Sequence, residues 1–141
     1  MTLHNIILKL ITLTLGIGLA QFSFAATCEK AINNSSVGSL TVPSGATCFM
    51  NATSVKGDVT VLKGGNLILN NSSVSGSVQA SMANSVKLIN SMIDGDLNVG
   101  QLSSVLNLNK SMISGNLYCS ATAKLINTMS SIEGKTIGKC K

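Results

Sequence analysis

The sequence predicts an all-β fold, a short parallel β-helix (solenoid) of about six coils with about 19 residues in each. Three observations predict it. The first is a column of glycines, Gly38, Gly57, Gly76, Gly95, Gly115 and Gly134, at steps of 19, 19, 19, 20 and 19 residues. A fixed period near twenty marks a coiled backbone in which each repeat packs only on its neighbours. The second is that apolar residues recur every two positions within short segments rich in β-branched residues, never at the three-and-four spacing of a helix. The third is a shortage of aromatics: after residue 25 the chain has only Phe49 and Tyr118. Without large rings the interior must be filled by Val, Leu, Ile, Met and Ala, which suits a narrow stacked coil better than a sandwich of this size.

Residues 1–25 read as an export signal. Met1–Lys9 carries a single Lys and no acid, Leu10–Ala20 is almost wholly apolar, and Ser23-Phe24-Ala25 offers a small-x-small cleavage site. The apolar run is short for a bilayer span and is followed by polar chain, so no stable membrane insertion is expected once it is removed. Thr27 stands where a bacterial lipobox wants Gly or Ala, which argues against lipidation at Cys28. The expected domain is therefore 26–141, soluble and exported to the periplasm or the extracellular space.

Within that domain, alignment on the glycines exposes the inward columns. Two residues after each Gly stand Leu40, Val59, Val78, Leu97, Leu117 and Thr136; four after, Val42, Val61, Ala80, Val99, Cys119 and Gly138. Two before stand Val55, Val74, Ile93, Ile113 and Ile132. Nine before come Cys48, Leu67, Val86, Leu106 and Leu125; seven before, Met50, Leu69, Leu88, Leu108 and Asn127. Each coil thus carries two or three short strands, stacked in parallel at about 4.8 Å, and six coils make a rod about 29 Å long, with right-handed winding expected.

The glycine column fits corners that call for positive φ. Asn51, Asn70, Asn109 and Thr128 form a further column; Asn tolerates left-handed corners, and stacked Asn or Ser side chains can hydrogen-bond between coils. Thr53, Ser72, Ser91, Ser111 and Ser130 stand two places on. Cys28 and Cys48 are 20 residues apart and Cys119 and Cys140 are 21 apart, about one coil in each case. Residues one coil apart lie within disulfide range, and an exported chain meets an oxidising compartment. The spacing predicts Cys28–Cys48 and Cys119–Cys140, fastening the two ends. A zinc site is disfavoured because there is no CxxC spacing and the one histidine, His4, lies in the leader.

At this point the motifs carry a resemblance. Gly38-Ser39-Leu40-Thr41-Val42-Pro43-Ser44-Gly45-Ala46-Thr47-Cys48 resembles the "G-N-L-x-V-P-x-G-A-x-C" opening of a group of small exported bacterial proteins. Gly57-Asp58-Val59-Thr60-Val61 and Gly95-Asp96-Leu97-Asn98-Val99 are similar to their repeated "G-N-V-x-V", Gly115-Asn116-Leu117-Tyr118-Cys119 to their "G-N-L-x-C", and Gly134 to Cys140 to their closing "G-N-K-x-x-x-C". The resemblance covers nearly all of the domain and implies a disulfide-capped right-handed β-helix without an assigned activity. A looser resemblance is to bactofilins, cytoskeletal β-helices of "G-x-V" coils that polymerise end to end. Bactofilins are cytoplasmic and lack these cysteines, whereas this chain carries an export leader.

The chemistry in the sequence is sparse. The formal net charge is +5, or +4 once Lys9 leaves with the leader, and the lysines are scattered. With no Arg and almost no aromatics, nucleic acid is not an expected partner. Asp58, Asp94 and Asp96 form the one weak candidate surface site: Asp94 and Asp96 flank Gly95, and Asp58 shares the Asp96 column two coils earlier, with Ser77 between. Asp58 and Asp96 would stand about 10 Å apart, slightly beyond an inverting carboxylate pair. Asp94 shares a column with Lys56, which suits a surface ion pair. Nothing calls for a cofactor, a metal or a nucleophile with a base. The outer ranks are too irregular for an ice-binding face.

The reading is a non-catalytic, exported structural or surface-interaction protein, not an enzyme, whose partner is a cell-envelope or extracellular polysaccharide or protein. Polysaccharide binding or degradation is the first alternative. Self-association as a bactofilin-like scaffold is the second.

Overall fold

A computed structural model describes residues 25–141, so the export signal expected over residues 1–25 falls, but for Ala25, outside the described residues. Among the described residues there is no helix: nineteen short strands form three sheets of seven, six and six strands, the faces of a β-solenoid with a repeat of about 19 residues. Every strand pairs in parallel with its counterpart one coil away, as in Leu69 with Leu88 and Leu88 with Leu108. The first sheet follows each column glycine (Leu40–Val42, Val59–Val61 and their successors). The second holds the longest strands (Thr47–Asn51, Asn66–Asn70, Ser85–Ile89, Val105–Asn109, Lys124–Thr128), and the third consists mainly of two-residue strands such as Met92–Ile93 and Met112–Ile113. Each full coil therefore carries three strands.

The alternation of apolar and polar residues fixes which side chains turn inward. The five inward columns are buried through the middle coils, from Cys48, Met50 and Val55 to Leu106, Leu108 and Ile113. They fail only toward the C-terminus, where Asn127, Thr136 and Gly138 are exposed and Cys119, Leu125 and Ile132 half-buried. A further set of core residues lies at the turn between the first and second sheets, where Ala83 and Leu102 are fully buried and Ala123 nearly so. The twenty-residue step is absorbed at that turn: Gln79 pairs with Asn98, 19 residues on, but Ser85 pairs with Val105, 20 on. The extra residue thus leaves the sheet register intact.

The column glycines are not the left-handed corners that the sequence suggests. Among non-glycine residues positive φ occurs instead at the junction of the second and third sheets, at Asn34, Ala52, Asn71, Asn90, Lys110 and Met129, with φ between 46° and 53°. This is one residue beyond the Asn51, Asn70 and Asn109 column, which closes the second-sheet strands. The glycines with positive φ are Gly45, Gly64 and Gly138, outside the column. The glycine column answers a different demand. From Gly57 onward each column-glycine N–H donates to the glycine carbonyl one coil earlier, Gly57 to Gly38, Gly76 to Gly57, Gly95 to Gly76, at 3.0–3.1 Å. The coils approach so closely here that a Cβ on Gly95 would lie 2.5 Å from Ser77 Oγ and 2.6 Å from the Gly76 carbonyl oxygen. Only a residue without Cβ fits.

Both disulfides form as the spacing predicts, Cys28–Cys48 and Cys119–Cys140, with Cα separations of 5.4 and 5.2 Å. The C-terminal end is closed by polar groups as well. Asn127, in the column that elsewhere holds Met50, Leu69, Leu88 and Leu108, accepts the Ser130 N–H at 3.2 Å, and the Lys141 carbonyl accepts the Leu125 N–H. These contacts stand in for a further coil at donors that elsewhere bond to the next repeat.

Candidate functional site

The polar side chains form ladders that tie coil to coil. At the second-to-third-sheet corner, Thr53, Ser72, Ser91 and Ser111 are buried. Each hydroxyl from Ser72 onward donates to the carbonyl two residues before it, as Ser91 Oγ does to Ile89 at 2.7 Å. Each also accepts the N–H of the equivalent residue one coil earlier: Ser91 Oγ from Ser72 at 3.1 Å, Ser111 Oγ from Ser91 at 3.2 Å. Outer ladders of amides run alongside, Asn70 to Asn51 at 3.0 Å and Asn90 to Asn71 at 2.6 Å.

The acids belong to a second ladder, beside the glycines. Asp58 Oδ1 accepts the Ser77 N–H at 2.7 Å, Ser77 Oγ the Asp96 N–H at 3.0 Å, Asp96 Oδ1 the Asn116 N–H at 2.7 Å, and Asn116 Oδ1 the Lys135 N–H at 2.8 Å. The residue after each glycine is therefore chosen for a short side chain with an acceptor oxygen, which explains the recurring Gly-Asp and Gly-Asn pairs. Asp58 and Asp96 stand two coils apart with Ser77 between them, and Asp94 is exposed on the other side of Gly95. Among the described residues no three of His, Cys, Asp and Glu come together as a metal-binding group, and all four cysteines are in disulfides.

The surface feature that the sequence does not single out is a groove. It runs along the second-to-third-sheet corner across successive coils, an open cleft of about 1080 Å³. The left-handed corner residues line one side and the outward residues of the third sheet the other, with the buried hydroxyl ladder between them. Its two halves differ. Toward the N-terminus it is lined by hydroxyls and amides, such as Asn34, Ser36, Ser54, Asn71 and Ser73. Toward the C-terminus Met92, Met112, Met129 and Lys110 replace them. The groove follows from geometry: a left-handed residue at each coil turns the chain sharply between two sheets, and identical turns stacked in register leave a continuous recess. Its trace in the sequence is the column Asn34, Asn71, Asn90, one residue away from the column that the glycine alignment brings out.

Comparison with protein-family models, with curated proteins and with solved structures finds no match to this chain.

Proposed function

We propose that this chain is an exported, non-catalytic structural or surface-interaction protein: a rigid β-solenoid that offers its corner groove to a partner. The observation that carries this reading is where its polar groups go. The buried hydroxyls and the Asp58 and Asp96 carboxylates accept main-chain N–H groups of neighbouring coils, so they serve as mortar between repeats. General acid–base chemistry instead asks for paired groups converging on a substrate. The two cystines favour an oxidising, exported setting, in keeping with the leader read from residues 1–25.

A polysaccharide is the partner class best suited to the groove. In the N-terminal half its hydroxyl and amide side chains recur from coil to coil, about 4.8 Å apart, a spacing that suits an extended polymer with regularly spaced hydroxyls. Pull-down of the mature chain on peptidoglycan, lipopolysaccharide and anionic polysaccharides tests this. Retention on one of them, weakened by Ser54→Leu and Ser73→Leu together, is the expected result; no retention on any rejects the polysaccharide reading.

Self-assembly end to end is the competing reading, and the caps argue against it. Asn127 and Lys141 occupy donors that an added coil would need. Sedimentation across concentration should find a monomer, whereas Asn127→Leu, which restores an apolar residue at the open end, should raise self-association. A wild-type filament would reject the capped-rod reading.

A further inference from the structure

Three methionines gather in the C-terminal half of the groove, and we propose that their thioethers form a binding site for a soft monovalent cation, Cu(I). Met92 and Met112 are register partners on adjacent strands of the third sheet. Their neighbours Ile93 and Ile113 are buried, so both methionines project outward, from strands about 4.8 Å apart. Met129 is the left-handed corner residue of the next coil and lines the same recess. One coil step and one corner separate it from Met112, and both side chains are long, unbranched and flexible.

The placement departs from the pattern of both ranks. The outward rank of the third sheet is otherwise serine, at Ser36, Ser54, Ser73 and Ser131, and the two methionines interrupt it side by side. The corner rank favours Asn, the residue that adopts positive φ most cheaply after Gly, yet Met129 holds φ 53° while 75 % exposed. Of the other methionines in the described chain, Met50 is buried in the core and Met82 stands alone outside the groove, whereas these three line one recess together.

The donor chemistry selects the ion. Thioethers are neutral, soft donors that suit Cu(I) and leave hard, oxygen-seeking Mg²⁺ and Ca²⁺ unserved. They are also the soft donors left free in the described chain, since its cysteines are all in disulfides and its sequence from residue 25 onward has no histidine. Among the described residues Lys110 is the one charged residue lining the groove, and its ammonium opposes a cation, which holds the affinity to a moderate, exchangeable level. No electron is transferred in this step: the ion enters and leaves as Cu(I). The site does not depend on the polysaccharide reading, because the sugar-like half of the groove is the other one.

The test uses the mature, disulfide-bonded chain. Cu(I) is presented under nitrogen as its bicinchoninate complex, and Ag(I), of equal charge and inert to redox, is titrated while the methionine methyl carbons are followed by NMR. One equivalent should be withdrawn from the chelator, and the Met92, Met112 and Met129 methyls should shift together. Buried Met50 and Met82, which is 50 % exposed outside the groove, should stay still. Leu at any one of the three should weaken binding at least about tenfold and Leu at all three should abolish it, with Met82→Leu without effect and Lys110→Ser tightening it. A Met82 methyl that shifts alongside the others would mean unspecific thioether contact and overturn the site, as would failure to withdraw Cu(I) at all. The wild-type methyl shifts decide the matter even if a variant misfolds.

Discussion

Two corners of the same coil solve opposite problems. Where the third sheet meets the first, glycine fills every coil from Gly38 to Gly134 with ordinary φ, and from Gly76 onward the preceding coil leaves no room for a Cβ. Where the second sheet meets the third, every residue has positive φ, yet not one of the six is glycine. A glycine column in a sequence is thus not by itself evidence of left-handed backbone; it records here how closely two coils approach. Left-handed backbone with room around it is served instead by Asn, and by Ala52, Lys110 and Met129 at a cost of about 1–2 kcal/mol each.

Substitution at the crowded corner should have the largest effect. Gly95→Ala drives a methyl group into the Gly76 carbonyl and the Ser77 hydroxyl, and the coils cannot separate without breaking the Gly95-to-Gly76 hydrogen bond. A loss of about 3 kcal/mol or more is expected. Gly38→Ala is the control, because among the described residues nothing lies within 4 Å of its added Cβ. Urea unfolding of the two variants should separate them clearly. Equal losses at both would return the explanation to backbone conformation.

The buried hydroxyl ladder at the other corner comes next. Ser91→Ala removes the acceptor of the buried Ser72 N–H and leaves that donor unpaired. The expected loss is about 2 kcal/mol, with Ser91→Thr recovering much of it, since Thr53 already occupies this column. Hydrogen exchange should report the damage locally, as faster exchange of the Ser72 amide.

Much of this fold is legible because a solenoid writes its geometry into a single period. The inward columns, the parallel stacking and both disulfides follow from counting about 19 residues from any apolar position. Residues at the turn are harder: Ala83 and Leu102 each stand seven residues after a column glycine, but the same place is Gly45 and Gly64 in earlier coils, so the column does not read as apolar. The corner groove is hidden for a different reason. Its left-handed residues are Asn, Ala, Lys and Met, with no shared chemistry to betray a shared conformation. The acids are plain in the sequence yet read there as surface groups, because a sequence shows their charge and not the main-chain N–H that one oxygen accepts.

That last point gives a smaller and more selective effect. Asp96→Ala should cost about 1 kcal/mol by orphaning the Asn116 N–H, while Asp96→Asn, which keeps an acceptor oxygen, should be close to neutral. The pair distinguishes a ladder role, which needs an oxygen, from a role that needs the charge. In the next coil Asn116 already does the same with an amide oxygen, accepting from Lys135. If Asp96→Asn loses as much as Asp96→Ala, the ladder explanation of the Gly-Asp pairs fails.

The smallest effect carries the opposite sign. Ala52 sits in the left-handed corner at φ 49°, exposed and outside the hydrogen-bonded side-chain ladders. Glycine there should relieve the Cβ clash intrinsic to that conformation, a gain of about 1–2 kcal/mol, against a loss of about 0.5–1 kcal/mol from the freer unfolded chain. Ala52→Gly should therefore stabilise the protein by up to about 1.5 kcal/mol, seen as a shift of the urea midpoint at unchanged slope. The same change that strengthens this corner is the reverse of the one that wrecks its counterpart, Gly to Ala at residue 95. The two corners differ in what they ask of a Cβ, not in how sharply they turn, and opposite signs from mirror-image substitutions are the outcome only that difference produces.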